Sequence, residues 1–164
     1  METLKYICKI IQDNLELDDQ HIYIYNQKWI MPTDKGLFVA VGIEGEQVIN
    51  QGSDYKMDGG NYTQEQSLIK QGTLSVDVYS YDFSAIDRKD DVILALNSDM
   101  SQNMQDKYSF HIGTTPLTIN DVSEQDGTKI INRFNITFNI IYGKSKSNKS
   151  DYYNSSDFLI YKND

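Results

Sequence analysis

The chain has 164 residues, one cysteine, two histidines and a formal net charge of -9, with 24 acids against 15 bases. That length suits a single domain over residues 1–164 with a core of its own. The charge argues against a sequence-independent nucleic-acid binder, which needs a basic face to neutralise phosphates, and a lone Cys8 excludes an intrachain disulfide or a thiolate zinc site.

The charge is uneven along the chain. From residue 128 onward Lys129, Arg133, Lys144, Lys146, Lys149 and Lys162 outnumber Asp151, Asp157 and Asp164, whereas acids dominate before it. An acidic region and a weakly basic one allow association between copies, although a solvated surface is the first explanation of such charge. The first residues, METLKYICKIIQDNL, have no continuous apolar run and no small-residue cleavage site. They do not read as a signal peptide, and no segment approaches the roughly 20 apolar residues that cross a bilayer. The expectation is a soluble, cytoplasmically made protein with no membrane partner.

Leu4, Ile7, Cys8, Ile11 and Leu15 recur at helical spacing and predict a short amphipathic helix with Cys8 on its buried stripe. Cys8 there is a small core residue rather than a nucleophile. His21–Tyr25 alternates as a short strand, and Pro32, Asp34 and Gly36 punctuate a turn. Leu37–Ile43, LFVAVGI, is apolar on both faces and predicts a strand covered on both sides. Gln47–Gln51 reads as its return strand after Gly45. Gln51–Gln64, QGSDYKMDGGNYTQ, is polar and glycine-rich: a long loop or the tip of an extended hairpin, whose tyrosines suit contact.

Thr73–Tyr81 is a strand with Leu74, Val76 and Val78 on one face and Ser75, Asp77, Tyr79 and Tyr81 on the other. Ser84–Asp87 has the form of a capping box. The helix it opens should run to about Asp106, with Ile86, Ile93, Leu96, Met100 and Met104 on its stripe. Ser109–Gly113 and Leu117–Val122 are short strand candidates, and Asp126-Gly127 is a tight-turn pair. Lys129–Tyr142 then alternates over its whole length. Phe134, Ile136, Phe138 and Ile140 fall on an apolar face, and Arg133, Asn135 and Thr137 on a polar one. Gly143–Ser150, GKSKSNKS, is expected as a flexible basic loop, part of a long loop over 143–155, and Asp157–Lys162 as a possible last strand.

This order predicts an α+β domain: a largely antiparallel sheet with two main helices packed on one face and extended hairpin loops. The expected core is Leu74, Val76, Val78, Ile93, Leu96, Phe134, Ile136, Phe138 and Ile140. No phosphate loop, dinucleotide fingerprint or nucleophile elbow occurs, and neither His21 nor His111 has a ligand at recognised spacing. The acidic cluster Asp87, Asp90 and Asp91 fits the start of a helix, where the dipole favours carboxylates. The expectation is no enzyme, no cofactor and no metal.

From Gly72 to Tyr142 a VDVYS strand leads into the helix IDRKDDVILALNSDMSQNMQ. A short HIG strand, a PLTINDVS segment, an acidic DG turn and the strand INRFNITFNIIY follow. This order resembles the neck and tail terminator proteins of tailed bacteriophages, also called tail-to-head joining or tail completion proteins. Asp77 and Arg133 are its most specific points, and it covers less than half the chain. The resemblance implies a structural virion subunit, assembled in the host cytoplasm into a hexameric ring at the head–tail junction. Its implied partners are copies of itself, a connector, tail-tube or sheath proteins, and genome DNA sliding past a neutral to acidic wall without specific binding. The candidate subunit-interface residues are Asp54, Tyr55, Lys56, Tyr62, Lys144, Lys146 and Tyr152, in the two long loops. Other readings are a connector or tail-tube subunit, or a monomeric module that binds a peptide or glycan through its tyrosines.

Overall fold

The computed structural model describes residues 2–25, 36–58, 61–126 and 129–150. The elements in order are α1 (Glu2–Leu15), β1 (Ile22–Ile24), β2 (Phe38–Asp58), β3 (Asn61–Ser80), α2 (Ser84–Leu96), α3 (Asp99–Tyr108), β4 (Phe110–Ile112), β5 (Thr118–Asp121), β6 (Glu124–Asp126) and β7 (Lys129–Ser150). The class is α+β.

Three very long strands organise the sheet, whose order is β1-β2-β3-β7-β4. β2 runs antiparallel to β3, and β3 antiparallel to β7 in an unbroken register from Tyr62–Ser150 to Ser80–Asn132. β1 adds to the outer edge of β2 in parallel, at Ile22–Val39 to Ile24–Val41. Along the other edge of β7 lie β6, β5 and β4 in turn, all antiparallel.

At one end of these strands the sheet is covered. Val39 and Val41 of β2, Leu74, Val76 and Val78 of β3, and Phe134, Ile136, Phe138 and Ile140 of β7 all point to one face. There they meet Ile7, Ile10, Ile11 and Leu15 of α1 and Ala85, Val92, Ala95 and Leu96 of α2. The helical period of one set and the two-residue period of the other make two apolar surfaces that fit face to face. Ile93 is half-buried against this core, and Ile86 and Ile130 are exposed rather than on the buried stripes.

Local chemistry sets the helix ends. After α1, Glu16 takes a left-handed conformation (φ 53°) and the Leu17 amide donates to the Gln12 carbonyl at 3.0 Å, closing the helix. The expected capping box at Ser84–Asp87 does not form, because Ser84 already lies inside α2. Instead Asp82 Oδ1 accepts from the Ser84 amide (2.8 Å) and Ser80 Oγ from the Ala85 amide (2.9 Å). The single helix expected to Asp106 is two. Asn97 ends α2, and Ser98 starts α3 by accepting from the Ser101 amide at 3.2 Å. Gln105, buried on α3, donates to Ser101 Oγ and accepts from the Ile112 amide (2.8 Å), which ties the helix to β4.

Two expectations are corrected and a third, left between two readings, is decided. Gln47–Gln51 is no return strand but the continuation of β2, carried through bulges between Glu44 and Gln47 and between Val48 and Asn50. Gly45, at φ +59°, supplies the left-handed residue that the first bulge uses. Of the two readings of 51–64, a long loop or the tip of an extended hairpin, the hairpin is the one observed, paired from Gln51–Leu68 to Asp58–Asn61. Gly143–Ser150 is likewise strand, hydrogen-bonded along β3 from Ile69 to Tyr62. Residues 151–155, the Asp126-Gly127 turn at Gly127, Pro32, Asp34 and the strand expected at Asp157–Lys162 lie outside the described residues.

Candidate functional site

Beyond the helices the three long strands continue as a bare arm. It comprises Glu44–Asp58 of β2, Asn61–Gln71 of β3 and Gly143–Ser150 of β7. At about 3.3 Å per residue, the eleven residues of β3 carry it roughly 35 Å past the core. Residues 44–56 and 143–147 are all exposed, in contrast to the sealed strands at the base. The sequence explains the change: beyond Gly72 and Tyr142 the alternating Leu, Val, Ile and Phe give way to Gln, Ser, Asn, Lys and Glu.

Cross-strand polar contacts hold the arm in register. On the face shared with the helices, Gln64 Nε2 donates to Ser53 Oγ (2.8 Å) and Tyr55 OH (3.2 Å), and Asn148 Nδ2 to Gln66 Oε1 (3.4 Å). On the opposite face Lys56 pairs with Glu65. That hydrogen bond and charge raise the Lys56 pKa. At the root of the arm Lys70 pairs with Glu46 at 3.1 Å. A shallow groove of about 590 Å³ on the helix-side face is lined by Gln51, Ser53, Gln66, Leu68, Lys144 and Lys146, among others.

The candidate interface residues therefore share one sheet instead of two loops. Asp54, Tyr55 and Lys56 lie on β2, and Lys144 and Lys146 on β7, with one strand between them. Two strand spacings separate β2 from β7 by about 10 Å. Tyr62 is a β3 residue paired with Met57 and Ser150. Tyr152 lies outside the described residues. Tyr55 is 64 % exposed.

A second feature sits on the sheet face opposite the helices, at the covered end. Asp77, only 6 % exposed at its side chain, accepts from the Arg133 guanidinium and from Asn135 Nδ2 at 2.9 Å. Asn135 Nδ2 also reaches Ser75 Oγ (2.8 Å), and Tyr25 OH lies 3.2 Å from that hydroxyl. Register makes the pair: Asp77 faces Asn135 and Tyr79 faces Arg133, so Asp77 and Arg133 are diagonal neighbours on adjacent strands. The Tyr23 and Tyr79 hydroxyls bond to each other, and burial pushes the pKa of Tyr23, Tyr25 and Tyr79 upward. Glu124 is the second carboxylate near Arg133, at 3.7 Å. Tyr23, Tyr25, Ser75, Asp77, Arg133 and Asn135, with Glu44, Val122 and Thr137 among others, bound an open cleft of about 620 Å³.

Sequence reasoning singled out Asp77 and Arg133 but not the tyrosine wall beside them. Gly42 was the available signal. The Tyr25 ring lies so close over it that an added Cβ would sit 2.1 Å from Cδ2. A glycine inside an apolar strand marks such a close approach.

Cys8 is half-buried, and burial pushes its thiol from 9.0 up to about 12, far from the range of a nucleophilic thiolate. Among the described residues no group of three His, Cys, Asp or Glu side chains is placed to hold a metal, and no helix is long and apolar enough to cross a membrane. No protein-family model matches the chain, and no curated protein matches it significantly.

Proposed function

We propose that the protein is a structural subunit of a tailed-phage virion that assembles into a ring at the head–tail junction, ending the tail tube or joining it to the neck. The observation that carries the assembly part is the arm: three paired strands reaching roughly 35 Å beyond the helices, with no described element on either face. A sheet built that far past its own core presents surface and backbone to a neighbour. Its placement in a phage rests on the element order from Gly72 to Tyr142, with Asp77 and Arg133 bracing the sheet beneath it.

In this reading the helix-covered end is the rigid body of the subunit and the arm is its contact with neighbouring copies. Connector and tail-tube or sheath proteins meet the ring above and below. The chain's net charge of -9 gives the passing genome no basic wall to grip. A second reading, a monomeric binding module, is favoured by the tyrosine-walled cleft around Asp77 and Arg133.

Electron microscopy and light scattering of the purified protein separate these readings. The proposal predicts closed single rings. Long tubes indicate a tube subunit, and a strict monomer at high concentration indicates the binding module.

A further inference from the structure

We infer that copies of this chain join head to tail through the arm, the outer edge of β2 in one copy lying against the outer edge of β7 in the next. The inference deepens the assembly reading above and rests on it.

Two open edges provide the geometry. Among the described residues, β1 accompanies β2 only to Val41, with Tyr25 donating to the Val41 carbonyl. β4 accompanies β7 only to Tyr142, and the Gly143 amide makes a last, long bond to the Ser109 carbonyl at 3.4 Å. Past those points each strand has β3 on one side and, among the described residues, no strand on the other. Such an edge is a template for another strand.

Charge selects which edge meets which. Over 50–58, the stretch level with 143–150 across β3, β2 carries Asp54 and Asp58 against Lys56, a net charge of -1, with Glu44 and Glu46 nearer the base. Over 143–150, β7 carries Lys144, Lys146 and Lys149 and no acid, a net charge of +3. The part of β3 between them, 61–71, balances Glu65 with Lys70. The arm is therefore polarised across its width. Pairing β2 with β2 or β7 with β7 brings like charges together, whereas β2 with β7 brings opposite ones. Asp54 is on the face opposite Lys144 and Lys146, so the attraction acts between whole strands. Two strands that meet at an edge lie about 4.8 Å apart, within a Debye length of roughly 8 Å.

Direction completes the argument. β2 and β7 both run antiparallel to β3, so they point the same way. Copies related by rotation about an axis along the strands meet edge to edge in parallel, with evenly spaced bonds. The contact uses two different surfaces, and such contacts propagate until a ring closes.

The test is a charge exchange in the full chain, read by light scattering and electron microscopy, with circular dichroism to establish that each variant is folded. One variant carries Lys144→Glu and Lys146→Glu, the other Gln51→Lys and Asp54→Lys, Gln51 being level with Lys144 across β3. All four side chains are exposed. Each variant alone should need about a hundredfold more protein to assemble, and a chain carrying all four changes should recover part of that loss. Wild-type assembly should weaken as salt rises. Rings that form normally from both two-site variants, or no recovery in the four-site chain, overturn the edge pairing and leave the ring reading standing. Particles that stop at dimers overturn the head-to-tail contact. A wild type that stays monomeric overturns both readings.

Discussion

The same three strands run through two different surroundings. At the base, β2, β3 and β7 carry Val41, Val76, Ile136 and Phe138, all sealed beneath α1 and α2. In the arm the same strands carry Ser53, Gln66 and Lys146, exposed on a sheet that no described helix covers. Backbone pairing continues unchanged from one to the other along β3 and β7. What changes is the source of stability: apolar burial at the base, ladder hydrogen bonds and cross-strand polar pairs in the arm. A net hydrogen bond contributes about 0.5–1.5 kcal/mol, while a fully buried large apolar side chain contributes about 1.5–3 kcal/mol. The base defines the fold, and the arm is free to be specified by contact.

The largest expected effect is at the base. Phe138→Ala should destabilise the subunit by about 3–5 kcal/mol in urea unfolding, since it empties a fully buried aromatic site. Phe134→Ala should fall at the lower end of that range, because Phe134 lies at the rim with the Lys89 ammonium over its ring. Gln66→Ala, on the arm, should stay within about 0.5 kcal/mol. Equal losses at both ends would remove the distinction between base and arm.

Next in size is the ion pair on the far face. Asp77→Ala strands the Arg133 guanidinium and frees Asn135 from one of its two acceptors. The expected cost is about 1.5–3 kcal/mol, limited because water can reach Arg133, 41 % exposed at its side chain. Asp77→Asn should recover part of it by keeping an acceptor in place. A neutral Asp77→Ala would show that the pair contributes nothing to the base.

A shortened arm should cost less. Replacing residues 54–65 with an Asn-Gly turn rejoins β2 and β3 just past Ser53 and Gln66, an ordinary hairpin closure. The unfolding temperature should fall by no more than about 4 °C, the shift expected for a loss near 1 kcal/mol in a chain of this size. Self-association should fall far more. A collapse in thermal stability would mean that the arm supports the base.

The smallest effect at neutral pH concerns Cys8. An unfolded thiol ionises near 9.0 and the folded one only at about 12. Because the folded pKa is the higher, the contribution of Cys8 to stability is intact below 9 and is lost as pH rises towards 12. Alkylation at pH 8 should be slow in the native protein and rapid in urea, whereas fast native labelling would put Cys8 outside the core stripe.

Alternation made the base legible. Leu74, Val76 and Val78, and Phe134 to Ile140, announce a strand with one apolar face, and the structure buries all of them. The same signal vanishes in the arm, where both faces are wet. Gln51–Gln64 then reads as a loop or a hairpin tip and Gly143–Ser150 as a loop, although their described residues are strand, because binary patterning reports burial and the ladder itself leaves no periodic mark. The missed break at Asn97-Ser98 has a related cause: an amphipathic stripe continues across a short interruption, and only the Ser98 cap betrays it. The Tyr23–Tyr25 wall of the cleft was hidden because it depends on β1 joining β2 in parallel, a pairing between elements distant in sequence.

Hydrogen exchange, resolved by residue and compared between dilute monomer and assembled protein, tests the central claim most directly. The account predicts that amides of the base are protected in both states. It predicts that outward-facing amides over 44–58 of β2 and 143–150 of β7 exchange rapidly in the monomer and become protected together on assembly. Assembly that leaves both arm edges as exposed as before would contradict it.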